Sequence, residues 1–596
     1  MADFLKGWKR SMRCAEVSEQ DVGKELTLMG WVQRARDMGG IVFVWLRDRS
    51  GIIQVVFDAK SLDSAVYQIG ESLRGEYVVA VRGEVALRAK EAVNENLATG
   101  TIELMVKEAK IINEAQTPPI YIEDGKNENE AVRLKYRYLD LRRPSMQKML
   151  MMRAKTVDAI RRHMASEGFV EVETPILTKS TPEGARDFLV PSRLHTGSFY
   201  ALPQSPQIYK QLLMVGGLDR YFQVARCFRD EDSRADRQPE FSQLDLEMSF
   251  VEPEDVQAVV EGAFAAVFRE IKGIDVPLPL PRMTWHDAME TYGSDKPDTR
   301  FGMQISTVND WAQDCGFSVF ENAVAGGQIV CGITAPGAGK MSRKEMDALG
   351  EYAKGYHVKG LAWIARQDDG SPRSSFAKFI SDDKLAQLYR IMNLNPGDAA
   401  FFIADSRLVA LTAMGQVRVR LGQQLELIDH ERYDLLWITE FPLLEWKEED
   451  NRFVAAHHPF TMPMEEDHQY LESDPGRVRA KAYDLVLNGI EMGSGSIRIH
   501  ASDLQEQMFK LLGFTHEEAW ARFGFLLEAF KYGTPPHGGF AFGIDRLIMK
   551  LTHTESLRDV LAFPKVQNAS CLMMETPGPV SNDQLEMLHI AIKADM

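Results

Sequence analysis

The sequence predicts a multidomain α+β protein: a small β-barrel at the N-terminus, a larger domain built on an antiparallel sheet, and an α+β domain inserted into it. Its 596 residues exceed the roughly 250–300 at which a single core stops growing. Five strand-like segments crowd the first 115 residues, ahead of a proline- and charge-rich stretch. Further on, residues 300–427 carry their own helix and strand patterns, several glycine-rich turns and no catalytic constellation, as an insertion would.

The barrel comes first in the chain. Residues 26–58 read as a meander: LTLMGWVQRAR, the turn DMGG, IVFVWLR, the turn DRSG, then IIQVVFD. A helix over 61–74 and two more strands, YVVAVRGEVALR and TIELMVKEAKII, complete five strands and suit an OB-type barrel over residues 1–115. On its strands Phe43 offers a ring on which a base can stack, and Gln54 an amide able to read a base edge. Alternation leaves Phe43 open between a surface platform and the barrel core. The segment AQTPPIYIEDGKNENEA has no apolar period and opens a hinge over 116–143.

Composition narrows the function class. Hydrophobic residues at 45% and charged residues at 26% match a soluble globular chain, and no apolar run reaches the roughly 20 residues that span a bilayer. The N-terminus, MADFLKGWKRSMRC, lacks a signal-peptide core, so the cytosol is the expected compartment. Five scattered cysteines without a CxxC pair indicate neither a disulfide framework nor a zinc cluster. A net charge of −17 argues against indiscriminate binding to phosphate backbones, so a nucleic acid must be met locally, by groups such as Arg34, Arg36, Arg47 and Arg49.

Beyond the hinge, the first part of the main domain is expected over 144–299 and the second over 428–565, with 566–596 as an extension. A helix over 146–167 stops at Gly168, and FVEVETPIL follows with strand alternation. Residues 221–250 read as strand, charged loop, strand. In the second strand Leu244, Leu246, Met248 and Phe250 fall on one face, which leaves Gln243, Asp245 and Glu247 on the other. Gln223 and Arg229 share one parity of the first strand. In YDLVLNGIEMGSGSIRIH, Asn488-Gly489 signals a two-residue hairpin that pairs Leu487 with Ile490 and Val486 with Glu491, so Asp484 and Glu491 project from one face. Glu491 and Arg498 are seven apart, opposite faces in an ideal strand, so Gly493 and Gly495 must introduce a bulge or turn.

The loop sequence FRDEDSRADRQPEF resembles motif 2 of the class II aminoacyl-tRNA synthetases in its aspartate-subgroup form. GFVEVETPIL looks like motif 1, with Pro175 at the position that family uses at its dimer interface, and GGFAFGIDRLIM looks like motif 3. The motifs stand in the family's order, and the similarity covers nearly the whole chain, including the barrel and an insertion of bacterial type.

The resemblance implies ATP-dependent activation of L-aspartate, then transfer to the 3′ end of tRNA(Asp), with tRNA(Asn) a second acceptor in some members. It also implies a homodimer and magnesium. Joining two anions calls for positioning and positive charge rather than a protein nucleophile. Arg229 and Arg546 would be the catalytic groups, the first holding the substrate carboxylate and α-phosphate, the second lying along the γ-phosphate. ATP would further meet Asp230, Glu231, Gln238, Glu491, Gly543, Ile544 and Asp545, with Glu231 and Gln238 at adenine or ribose, and Asp484 and Glu491 would hold Mg2+. Aspartate would meet Glu183, Gln207, Lys210, Arg229, Asp245, His457 and Arg498, where Lys210 and Arg498 counter the side-chain carboxylate and Asp245 and Glu183 the ammonium. Phe43, Gln54 and Glu103 would read the anticodon.

Asparaginyl and lysyl enzymes share the barrel and motifs, but two cations in the side-chain pocket repel lysine and have no purpose for an amide. A catalytically silent tRNA-binding relative is disfavoured because Arg229, Asp484, Glu491 and Arg546 are all intact. The basic run RLKYRYLDLRR suits either a tRNA contact or a hinge held by salt bridges, and Met38, Gly39 and Gly40 lie in the turn where the choice of tRNA could be made.

Overall fold

A computed structural model describes residues 3–126, 128–180, 185–232 and 235–593. The chain forms two compact units, residues 1–154 with 232–238 and 548–581, and residues 155–231 with 239–547 and 582–596.

In the first unit β1 (Glu25–Asp37), β2 (Ile41–Asp48), β3 (Gly51–Asp58), β4 (Val78–Leu87) and β5 (Ile102–Asn113) close into a barrel in the order β1-β2-β3-β5-β4. Only β3 and β5 pair in parallel. The expected turn at 37–40 forms with Gly39 and Gly40 at φ 73° and 98°, a conformation glycine adopts without steric cost. Alternation sends Val42, Val44 and Leu46 of β2 into the core with Val55 and Phe57. Phe43 takes the other parity and is half-buried, so it is a surface ring and not a core one.

The basic hinge run is held by ion pairs. Asp140, fully buried, receives Arg133, Arg137 and Arg143, while Arg142 joins Arg47 on Glu76 and lies over the Trp31 ring.

The second unit begins with β6 (Val170–Glu171), the hairpin β7 (Leu189–Pro191) and β8 (Phe199–Ala201), then β9 (Arg220–Phe228), β10 (Glu240–Ser249) and β11 (Arg282–Thr284). The strand expected over FVEVETPIL shrinks to two residues. Val172 N still donates to Phe222 O at 3.1 Å, but Pro175 has no N–H to continue the ladder. The inserted sheet comprises β12 (Ser306–Thr307), β13 (Ile329–Ala335), β14 (Ala362–Arg366), β15 (Pro372–Ser374) and β16 (Ala399–Asp405), in the order β12-β13-β16-β14-β15. Alternation gives this sheet two apolar faces. Cys331, Ile333, Phe401 and Ile403 pack on Leu411, Met414 and Val417 of the helix Arg407–Gln424, while Val330, Ile364 and Phe402 pack on Phe320 and Leu388.

After the insertion come β17 (Leu435–Thr439), the hairpin β18 (Leu444–Lys447) and β19 (Arg452–Ala455), then β20 (Ala482–Leu487), β21 (Ile490–Arg498) and β22 (His537–Gly543). The main sheet has eight strands in the order β11-β17-β20-β21-β22-β10-β9-β6, parallel only at its two ends. The helix Pro253–Lys272 lies on one face, with the Phe264 and Phe542 rings 4.9 Å apart and Glu261 accepting from Trp437 at 2.9 Å. The polar parity of the strands is left on the other face.

Candidate active site

The register explains how that face is assembled. Asp245 of β10, Ala541 of β22, Ser494 of β21 and Asp484 of β20 stand directly opposite one another, strand by strand. One row along, Glu247 faces Gly539 and Gly539 faces Ser496. The Asn488-Gly489 turn forms as expected, with Val486 opposite Glu491 and Leu487 opposite Ile490. Leu485 then pairs with Gly493, so Met492 is the extra residue of a bulge. That bulge resets the parity and brings Glu491, Ser494, Ser496 and Arg498 to the face of Asp484. The seven-residue conflict is thus resolved at Met492, next to Gly493.

Small residues on β22 make the floor. A Cβ at Gly539 would lie 1.9 Å from Glu247 Oε2 and 2.3 Å from Leu246 O, so only glycine fits there. Across it Glu247 accepts from Arg498 Nε at 3.0 Å and Nη2 at 3.3 Å, while Arg498 Nη1 donates to Ser496 Oγ at 2.6 Å. Lys210 arrives from the helix Gln207–Val215 and lies 3.1 Å from Asp245 Oδ1 and 3.3 Å from Glu247 Oε2. The two cations and two carboxylates are at most 5% exposed. They form one neutral network, in which each charge is answered without water.

Environment separates the two acids. Burial pushes the Asp245 carboxyl up to about 6, against the opposing pull of Lys210. Burial acts on Glu247 in the same sense, but Arg498 and then Lys210 outweigh it and hold that carboxyl below its ordinary range. Burial, then Arg498 and Lys210, push His458 down to about 3, which keeps it neutral. His457 Nε2 lies 3.6 Å from Asp484 Oδ1, and this partner outweighs burial to raise the imidazole. Burial raises both Asp484 and Glu491, and the charge of Asp484 raises Glu491 further.

Two residues singled out in the sequence carry buried polar atoms with no hydrogen-bond partner in the protein: Gln207 Nε2 and Arg229 Nε. Such atoms cost about 1–3 kcal/mol each if left so. Arg229 lies over the Phe241 ring at 5.2 Å. Arg546, in the first turn of the helix Ile544–Leu551, donates from Nη1 to Glu491 O at 2.8 Å. Gly543 ends β22 just before that helix, with Ile544 wholly buried.

Other residues take positions the sequence did not suggest. Asp545 is 2% exposed and accepts from Ser242 N at 3.0 Å, tying the helix to β10. Gln238 is buried with both ends of its amide on the Lys565 backbone. Asp230 is exposed and Glu231 half-buried, while Glu183 lies outside the described residues.

On the barrel, Gln54 Nε2 donates to Glu103 Oε2 at 2.8 Å, so two of the three expected base readers meet on one surface. Phe43 is two residues from Trp45 on the same outward parity. Trp45 stands opposite Arg34 on β1 and Gln54 on β3. Sequence reasoning overlooked Trp45 and Ser496, and it placed Glu247 on the polar face without giving it a role, although each lies two residues along a strand from a residue it singled out.

Both domains have counterparts among known proteins. Residues 129–567 match the family of class II tRNA synthetases (D, K and N), and residues 26–112 match the OB-fold nucleic acid binding domain. The chain belongs to the class II tRNA synthetases. Within them it stands beside the aspartate–tRNA ligases: it is 56% identical to an aspartate–tRNA(Asp/Asn) ligase of Lachnoclostridium phytofermentans over 99% of both chains. It is 54% identical to an aspartate–tRNA ligase of Agathobacter rectalis over 100% of this chain and 99% of that one. An asparaginyl-tRNA synthetase from Pyrococcus horikoshii shares the fold, with a TM-score of 0.58 at 18% identity over 94% of this chain and 98% of the other. An aspartyl-tRNA synthetase from Entamoeba histolytica does so with a TM-score of 0.58 at 19% identity over 94% and 92%.

Proposed function

We propose that this chain activates L-aspartate with ATP and transfers it to tRNA(Asp), and to tRNA(Asn) as the name of its relative from Lachnoclostridium phytofermentans includes. The observation that carries the amino-acid half is the buried pairing of Lys210 and Arg498 with Asp245 and Glu247 on the sheet floor. The side-chain carboxylate of aspartate finds two cations held rigid there, and its ammonium group finds Asp245.

The substrate α-carboxylate attacks the α-phosphorus, the bond to the β-phosphate oxygen breaks, and pyrophosphate leaves. Arg229, with an Nε that the protein leaves without a partner, aligns carboxylate and α-phosphate. Arg546 is set by its bond to the Glu491 carbonyl and reaches toward the far phosphates. Asp484 and Glu491 lie on one face, both raised by burial and Glu491 further by the charge of Asp484, and such a pair of carboxylates would hold a divalent cation. Mg2+ held there would supply positive charge against the phosphate oxygens. The 3′-hydroxyl of the tRNA's terminal adenosine then attacks the aspartyl carbonyl, and AMP leaves.

Phe43, Trp45 and Gln54, flanked by the exposed Arg34 and Arg36, suit stacking and edge reading of the anticodon. Pro175, Ile176 and Leu177 are exposed, which supports a homodimer through this segment. No helix of the described residues is long and apolar enough to cross a membrane, and the cytoplasm is the proposed location. The test is aspartate-dependent exchange of labelled pyrophosphate into ATP, followed by charging of each purified tRNA. Folded protein without exchange would rule the reading out.

A further inference from the structure

Gln238 and its neighbours raise the question of what holds the β9–β10 loop in place. Leu557 N donates to Ala235 O at 2.9 Å. Gln238 Nε2 donates to Lys565 O at 3.2 Å, and its Oε1 accepts from Lys565 N at 2.8 Å. Residues 235–238 are therefore fastened at two points to the segment 557–565. That segment contains one short helix, Leu557–Val560, and no strand.

One guanidinium meets three of the segment's carbonyls. Arg137 donates to the carbonyls of Arg558 and Leu561 at 2.7 Å each and of Ala562 at 2.9 Å. It is 2% exposed, and its charge is answered by the fully buried Asp140, 2.5 Å away. Carbonyls at a helix end lack intrahelical donors, and a planar fork can serve several at fixed angles where an ammonium cannot. Asp140 also receives Arg133, which reaches on to Asp559 at 3.3 Å, so the segment is held from two arginines.

We propose that Arg137, with Asp140 as its countercharge, is a positioning residue for the nucleotide loop. It fixes 557–565, which fixes Ala235 and Gln238, in the loop that follows Arg229 to Glu231 along the chain. This rests on the reading that the loop meets ATP. It also gives the basic hinge run a task within the chain, because Arg133, Arg137, Arg142 and Arg143 are each committed to an internal carboxylate.

The test compares Arg137→Lys with Glu231→Ala in the full-length protein, by steady-state pyrophosphate exchange. Arg137→Lys keeps a charge for Asp140 but loses the fork. It is expected to raise the KM for ATP by about tenfold, since small displacements of a positioned group carry large rate costs, and to leave the KM for aspartate within about twofold. A purely structural role would lower kcat and the urea midpoint without that split. If Glu231→Ala raises the KM for ATP and Arg137→Lys does not, the positioning role is wrong and the loop reading stands. If neither does, both fall. If Arg137→Lys alone does, the role stands and the Glu231 contact is lost from the reading. Should Arg137→Lys not accumulate as folded protein, Gln238→Met cuts the same chain at its loop end and carries the same expectation, and an unchanged KM for ATP there would overturn the proposal.

Discussion

Two surfaces of this molecule handle charge in opposite ways. On the main sheet, Lys210, Arg498, Asp245 and Glu247 are buried together and neutralise one another within hydrogen-bond reach. On the barrel, Arg34 and Arg36 are exposed beside half-buried aromatic rings. The difference follows from the ligands each would meet. A small charged amino acid is selected by groups that are already oriented and dry, where one misplaced charge costs several kcal/mol. A flexible single strand is met by rings that stack any base and by charges that steer from water, each worth far less.

The largest expected effect breaks the buried network. Glu247→Ala removes the acid shared by Lys210 and Arg498 and leaves two dry cations with only Asp245, so urea denaturation should register a loss of about 3–5 kcal/mol. A loss below about 1 kcal/mol would mean that the network is open to water. Next, Arg498→Leu should raise the KM for aspartate by about a hundredfold while changing that for ATP only a few-fold. Equal effects on both would remove Arg498 from the side-chain pocket.

On the barrel the effects are smaller. Phe43→Ala and Trp45→Ala should each raise the KM for tRNA by roughly tenfold and leave pyrophosphate exchange unchanged, as loss of one stacked base would. If Trp45→Ala has no effect beside a responsive Phe43→Ala, the stacking surface ends at Phe43.

The smallest effect is in pH. Asp245 ionises at about 6 in the folded chain against an ordinary 3.8, so the folded state binds the extra proton between these values and stability falls as pH rises through them. Binding of the substrate ammonium needs the ionised form. Affinity for aspartate should therefore be about twofold lower at pH 6 than at pH 7.5, and Asp245→Asn should flatten the profile.

Much of this was legible in the chain itself, because alternation, turn chemistry and motif spacing are local properties. The five barrel strands, the Asn488-Gly489 hairpin with its register, and the shared face of Asp245 and Glu247 all follow from periods of two and from glycine in tight turns.

Tertiary structure alone decided which partners those groups found. Glu247 meets Arg498 only because β22 lies between their strands and carries glycine at 539. The parity of Arg498 turned on one bulged residue, Met492. Gln238 is clamped because Lys565, 327 positions away, offers both a donor and an acceptor. Spacing along a strand sets the face a side chain takes, whereas the neighbour it meets depends on strands and segments brought together from far along the chain.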